Sequence, residues 1–287
     1  MRQLLTRLVT RISVLSCLLA GTGPAQAQIA PAVPSLPAWE SLQLEQESVW
    51  LTASSQLQLD NCEAPQVAGL WCLKISSRAG SSREVLTLRF DPASGALHSR
   101  TRFSQGKQQR QKHWQYEEQY ILRERRNPAD DSGENAGKPA DWPVSSRRQL
   151  SYPSGEHAIT DSQLLLLLAS PSWQAYTGGD FIIQTDLNFY RVTRRPAGSE
   201  TLAANYRIGD ARPAAASERR VMLIELQAQA LGELQDKADF SMFGLSGRII
   251  IGYDSDTGLP LFLRGEAPLL GAVEIKLRAM SPRVSPS

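Results

Sequence analysis

Three histidines, His98, His113 and His157, are the side chains best suited to carry a proton or ligate a metal, and none has a second ligand three or four residues away. Neither H-E-x-x-H nor C-x-x-C occurs, so the spacings that seat a tetrahedral zinc ion are missing. Gly244-Leu245-Ser246-Gly247 lacks the G-x-S-x-G spacing that lifts a nucleophilic serine onto a sharp strand-to-helix turn. No glycine-rich phosphate loop is present. Asp254 and Asp256 lie close together, but the twelve-residue calcium loop ending in Glu is absent, and Asp254-Ser255-Asp256-Thr257-Gly258 has the composition of a tight turn. Local spacing therefore names no catalytic residue, no metal ligand and no cofactor. An enzyme remains only as an arrangement of distant residues.

Cys62 and Cys72 are the pair that remains once the leader described below is removed, and they suit a single disulfide in an oxidising compartment. Closing that small loop stabilises by about 2.8 kcal/mol through the entropy it removes from the unfolded chain. Positive charge gathers further on, in Arg100, Arg102, Lys107, Arg110, Lys112, Arg123, Arg125 and Arg126, with Trp114, Tyr116 and Tyr120 interleaved. Such a surface suits anionic head groups or another polyanion, with Arg100, Arg102, Arg123 and Arg125 as contact residues. The competing reading is a solvated sheet face, partly neutralised by Glu117, Glu118 and Glu124.

The elements that position these residues follow from the rest of the chain. Arg2, Arg7 and Arg11 precede an apolar run over residues 12–20, and Ala25-Gln26-Ala27 follows it, so residues 1–27 read as a secretory signal cleaved after Ala27. The run is far shorter than the roughly 20 apolar residues a bilayer-crossing helix needs, and no transmembrane span is expected. A lipoprotein box, Val14-Leu15-Ser16-Cys17, is the alternative cleavage site and would anchor the chain at an acylated Cys17. The expected location is the periplasm. Taking three arginines from a chain of net charge +2 leaves −1, and a near-neutral protein is a poor nucleic-acid binder.

Residues 28–38 hold Pro31, Pro34 and Pro37 among small side chains and read as an extended tether. One β-rich domain is expected over residues 39–280, with a mobile polar loop over 127–142 and a short tail over 281–287. Its dominant period is two: strands around residues 85–90, 112–116, 119–126, 181–185, 188–194, 203–208, 220–230, 248–253 and 261–264, and the alternation of Val273, Ile275 and Leu277 with Glu274, Lys276 and Arg278. Asp91-Pro92-Ala93-Ser94-Gly95 reads as a hairpin turn. A single helix is expected to open at Thr160 or Asp161 and run through the five leucines 164–168 to Ala169, where Pro171 ends it. The fold class is thus mainly β (α+β), a strongly curved antiparallel sheet or half-barrel packed on one Leu-rich helix.

The second half of the chain resembles a bacterial family of exported β-rich proteins classed as a domain of unknown function. The residues that carry the resemblance are the Leu-rich helix, Tyr176-Thr177-Gly178-Gly179-Asp180 before a strand, Asp256-Thr257-Gly258-Leu259-Pro260, and Gly265-Glu266-Ala267-Pro268-Leu269-Leu270-Gly271 before the last strand. It spans about residues 144–279 and implies no catalytic residues. The inferred architecture is also similar to that of outer-membrane lipoprotein carriers, whose half-barrel closes over acyl chains. The expected function is a non-enzymatic module in which Leu164, Leu165, Leu167 and Leu168 touch a lipid or other hydrophobic small molecule. The alternative is a structural factor, or one that binds an envelope protein, with a solid core and no ligand.

Overall fold

Strict alternation of apolar and polar side chains makes strands, and it sets the architecture from the first described residues onward. The computed structural model describes residues 37–47, 52–62, 69–106, 108–129, 137–153, 155, 156, 158–173, 180–211, 217–235 and 239–283. The expected leader, with Cys17, and most of the expected tether lie outside the described residues, as do Lys107 and His157.

The first eight strands form a continuous meander: β1 (Trp39–Glu47), β2 (Thr52–Asn61), β3 (Trp71–Ala79), β4 (Ser82–Phe90), β5 (Leu97–Gln105), β6 (Arg110–Tyr116), β7 (Tyr120–Arg126) and β8 (Val144–Ser151). β9 (Ile159–Thr160) follows, and after the leucines come β10 (Asp180–Gln184), β11 (Phe189–Ala204), β12 (Arg207–Ile208), β13 (Ser217–Leu231), β14 (Ser246–Asp254), β15 (Pro260–Ala267) and β16 (Gly271–Pro282). In space the order is β8-β7-β6-β5-β4-β3-β2-β1-β16-β15-β14-β13-β11-β10-β9, with β12 beside the far end of β16. All pairings are antiparallel except β9 with β10 and β12 with β16. The chain therefore starts in the middle of the sheet, runs to one edge, crosses to the other edge, and returns to pair β16 with β1.

That crossing dictates the curvature. From Ser151 to Ile159 there are eight residue steps, which reach at most about 29 Å. Fifteen strands laid flat would set the two edges about 67 Å apart, at roughly 4.8 Å per spacing. The sheet must roll until its ends approach, and Asp186, between β10 and β11, indeed touches Lys112 on β6 and Arg123 on β7. The edges are not hydrogen-bonded to one another, so the roll stays open.

Its inner face holds one large core, with Leu42, Leu57, Leu73, Leu88, Val192, Ile251, Leu263 and Leu277 all no more than 4 % exposed. A smaller core joins Trp114, Ile121 and Leu150 of the first meander to Ile159, Ile182 and Phe189 of the returning strands. β10 lies between them, with Phe181 and Ile183 in the large core and Ile182 in the small one.

The expected helix is much shorter than its sequence suggests. Ile159 and Thr160 are strand, Ser162–Leu164 is a 3-10 turn, and the α-helix α1 is the four residues Leu165–Leu168. Asp161 caps the turn by accepting from the Gln163 amide at 2.8 Å, and Pro171 bars any continuation. Two other boundaries also move. The loop expected over 127–142 is ordered at its end, where Pro139–Asp141 forms a 3-10 turn and Trp142 is 4 % exposed against Phe103; residues 130–136 lie outside the described residues. The expected tail contributes Ser281 and Pro282 to β16, and the Arg283 amide donates to the Ala38 carbonyl at 2.7 Å.

Cys62 and Cys72 form a disulfide, with Cα atoms 5.1 Å apart, that ties the end of β2 to the start of β3. Replacing both, as Cys62→Ala with Cys72→Ala, is expected to lower the unfolding free energy by about 2.8 kcal/mol. Urea denaturation of the two proteins checks this, and an unchanged midpoint would show that the bridge contributes nothing.

Candidate functional site

The leucines expected to meet a ligand fill the interior. Leu164, Leu165 and Leu168 are 0 % exposed, Leu166 2 % and Leu167 5 %. A short helix leaves its last carbonyls without intrahelical partners, and here each finds one. The Leu165 carbonyl accepts from the Ala169 amide and the Tyr253 hydroxyl, and the Leu166 carbonyl from that same hydroxyl at 3.1 Å. The Leu167 carbonyl takes the Ser170 amide, and the Leu168 carbonyl takes Arg194 Nη1 at 3.4 Å. Gly95 packs against this segment so closely that a Cβ there would stand 2.6 Å from Leu168 Cδ1, and its φ of +71° demands glycine as well. Burial pushes the Tyr253 phenol far above its ordinary pKa, so it serves as a fixed donor.

The positive charge is arranged in rows across β5–β8. Alternation and register place Arg102, Lys112, Arg125 and Ser146 side by side on the inner face, and next to them Arg100, Trp114, Arg123 and Arg148. Arg110 lies one row further out, opposite Ser104. Glu124 and Arg126 fall on the other face, where Glu124 accepts from Arg147 Nε at 2.8 Å. The neutralisation expected from Glu124 is thus spent on the opposite side of the sheet.

Two of the four expected contact residues are internal. Arg100 and Arg123 are each 6 % exposed and stack on the Trp114 ring, with guanidinium carbons 4.5 Å and 5.8 Å from its centroid. Arg100 donates to the carbonyls of Gln184 at 3.0 Å and Thr185 at 2.8 Å, and its Nε lies 3.2 Å from Asp161. Arg123 Nε donates to Asp186 Oδ1 at 2.7 Å and Nη2 to Oδ2 at 3.2 Å, while Lys112 bonds the same carboxylate and Trp114 Nε1 reaches the Asp186 carbonyl at 3.3 Å. These side chains clasp the β10–β11 turn to the first meander. Arg102, paired with Glu84 at 2.5 Å, and Arg125, donating to Asn127 Oδ1 at 3.0 Å, remain half exposed on the same face.

Asp186 and Asp161 are the residues that sequence reasoning missed. The signal was parity: cations at alternating positions of three adjacent strands share a face with few acids of their own, so carboxylates had to arrive from elsewhere in the chain. The buried side of the clasp is imperfectly satisfied. The hydroxyls of Tyr116 and Thr160 and both amide atoms of Gln184 have no hydrogen-bond partner among the described residues. Burial drives the Tyr116 phenol well above its usual pKa, so it stays neutral.

The remaining candidates behave as local structure. Asp254 Oδ1 accepts from the amides of Asp256 at 2.9 Å and Thr257 at 3.1 Å and shapes the hairpin turn. His113 Nδ1 is 2.9 Å from Thr101 Oγ1, and burial lowers its pKa. Among the described residues no three His, Cys, Asp or Glu side chains group as a metal site requires. Two open depressions lie on the outer face: one of about 430 Å³ between Arg248, Arg264, Glu266 and Glu274, and one of about 210 Å³ beside His113 and Glu124. Neither touches the leucines.

Burial alone would raise the Asp186 pKa, but the hydrogen bonds and charges of Arg123 and Lys112 outweigh it and hold the group below its ordinary value. A depressed carboxylate contributes stability that is present above its unfolded pKa of about 3.9 and is lost as pH falls through the folded value. Asp186→Asn is expected to cost about 3 kcal/mol at neutral pH, because it leaves two cations without their anion. Chemical denaturation at a series of pH values checks both points: the wild type should lose stability below about pH 4, and the variant should lose less over that range.

Comparisons with protein-family models, with curated proteins and with solved structures give no match in any of the three.

Proposed function

We propose that this protein is a non-enzymatic envelope factor with a solid core, exported to the periplasm, that works by binding a partner at its surface. The observation that carries the reading is the occupancy of the interior: the leucines at 164–168 are at most 5 % exposed, and their carbonyls are capped by Tyr253, Arg194 and the following backbone. A lipid or other hydrophobic ligand, as in the lipoprotein carriers the architecture resembles, would have to displace that segment and leave those buried carbonyls unpaired. The disulfide between Cys62 and Cys72 supports an oxidising location. No helix among the described residues is long and apolar enough to cross a membrane.

Leu166→Ala separates the two readings. A solid core is expected to lose about 2–5 kcal/mol of stability, since the void cannot collapse fully. The wild-type protein should at the same time take up no fluorescent fatty acid. Measurable saturable uptake, weakened by Leu166→Ala with little change in the denaturation midpoint, would reverse the assignment in favour of a hydrophobic ligand.

A further inference from the structure

We infer that the basic inner face of β5–β8 is a cradle for a compact, multiply phosphorylated small molecule. This deepens the reading of a solid-core binding factor by giving its partner a chemical class.

The inference begins with a charge imbalance set by register. Arg100, Arg102, Arg110, Lys112, Arg123, Arg125 and Arg148 share this face. Among the described residues only Glu84, Asp161 and Asp186 are paired with them, so seven cations less three carboxylates leave an excess of four there. Side chains directly opposite on neighbouring strands have Cβ atoms about 5 Å apart, and like charges there repel. Arg102, Lys112 and Arg125 form such a row, and Arg123 faces Arg148 in the next. The repulsion is felt at Lys112, whose pKa is lowered by burial first and by Arg123 and Arg110 in addition, against the pull of Asp186. Among the described residues Arg110 and Arg148 have no counter-ion, and the Arg125 guanidinium has only the neutral Asn127 side chain as a polar partner.

The chemistry of the donors selects the ligand. Guanidinium groups offer planar paired donors that match phosphate oxygens, and a lysine adds a point charge. Three strand spacings of about 4.8 Å give the cradle a width near 14 Å, the scale of a few linked phosphates. The outer rim is accessible, since Arg148 is exposed and Arg110 and Arg125 are half exposed, while the Lys112 side chain is only 12 % exposed beneath the β10–β11 turn. The turn that carries Asp186 lies over Lys112 and keeps a flat bilayer off the accessible cations beside it, which favours the compact soluble ligand over anionic lipid.

Isothermal titration calorimetry of the full chain with inorganic tripolyphosphate tests the proposal. Saturable one-to-one binding is expected, weakening as salt is raised. The variant R110Q/R148Q should lose affinity by about a hundredfold, roughly tenfold per guanidinium removed. Its melting temperature should be no lower than that of the wild type, because neither side chain is tied into the fold and each faces like-charged neighbours whose repulsion its loss relieves. The charge-matched control R147Q/R248Q, on the outer face, should bind as the wild type does. Three results would overturn the inference: no saturable binding of tripolyphosphate, equal weakening in the control, or binding only to phosphatidylglycerol vesicles. Failure here with no fatty-acid uptake would leave the solid-core reading standing, whereas fatty-acid uptake would overturn that reading whatever tripolyphosphate does.

Discussion

The short crossing between β8 and β9 governs everything else in this fold. Two meanders that grow outward from the middle of one sheet end at opposite edges, and a connection of eight residue steps joins them. A flat sheet cannot satisfy that tether. Rolling brings the inner face of β5–β8 over β10, and this creates a second, smaller core around Trp114 and Ile182 beside the main one. It also places a turn carrying Asp186 against strands that are remote from it both along the chain and along the hydrogen-bonded ladder. The open roll is thus held by side chains across a gap that backbone hydrogen bonds do not close.

That clasp is polar where a barrel seam would be a backbone ladder. Removing Arg100, Arg123 and Asp186 from water is costly, and the stacking of both guanidiniums on Trp114 with shared hydrogen bonds offsets part of it. Ion pairs of this kind add less net stability than apolar packing of the same volume, but they accept only one arrangement of the two layers. The contrast with the main core is direct. Leucines and isoleucines there supply most of the hydrophobic stabilisation and tolerate small shifts, whereas the clasp seats the β10–β11 turn at one place on β6 and β7.

The turns and the later strands were legible in the sequence because their causes are local. Asp91 accepts from the amides of Ala93 and Ser94 and Gly95 takes positive φ, which is the chemistry that Asp-Pro-Ala-Ser-Gly announces. The alternation of Val273, Ile275 and Leu277 marks β16 for the same reason. β8 and β9 announce nothing: β8 buries only Leu150, and β9 is two residues that become strand because β10 lies beside them. The five leucines mark helix propensity correctly, yet Asp161 and Pro171 leave room for one turn of each kind. At the candidate site the cations were visible as a cluster. Their division between two faces, and the arrival of Asp161 and Asp186 from the other meander, depend on tertiary pairing that no local pattern encodes.

The pairing of β1 with β16 in the middle of the sheet has a consequence for how the molecule is made. Arg283, just beyond β16, binds the backbone around Trp39 and Leu59, so the two termini of the domain are stitched together at its centre. A chain that emerges N-terminus first, from a ribosome or a translocation pore, holds its first strand with one side unpaired until the last strand arrives. Its two halves can each assemble early, but joining them requires the longest loop closure the sequence contains, which is slow. Completion therefore waits for β16, and losing that strand would leave two separate sheets with exposed edges instead of one trimmed protein.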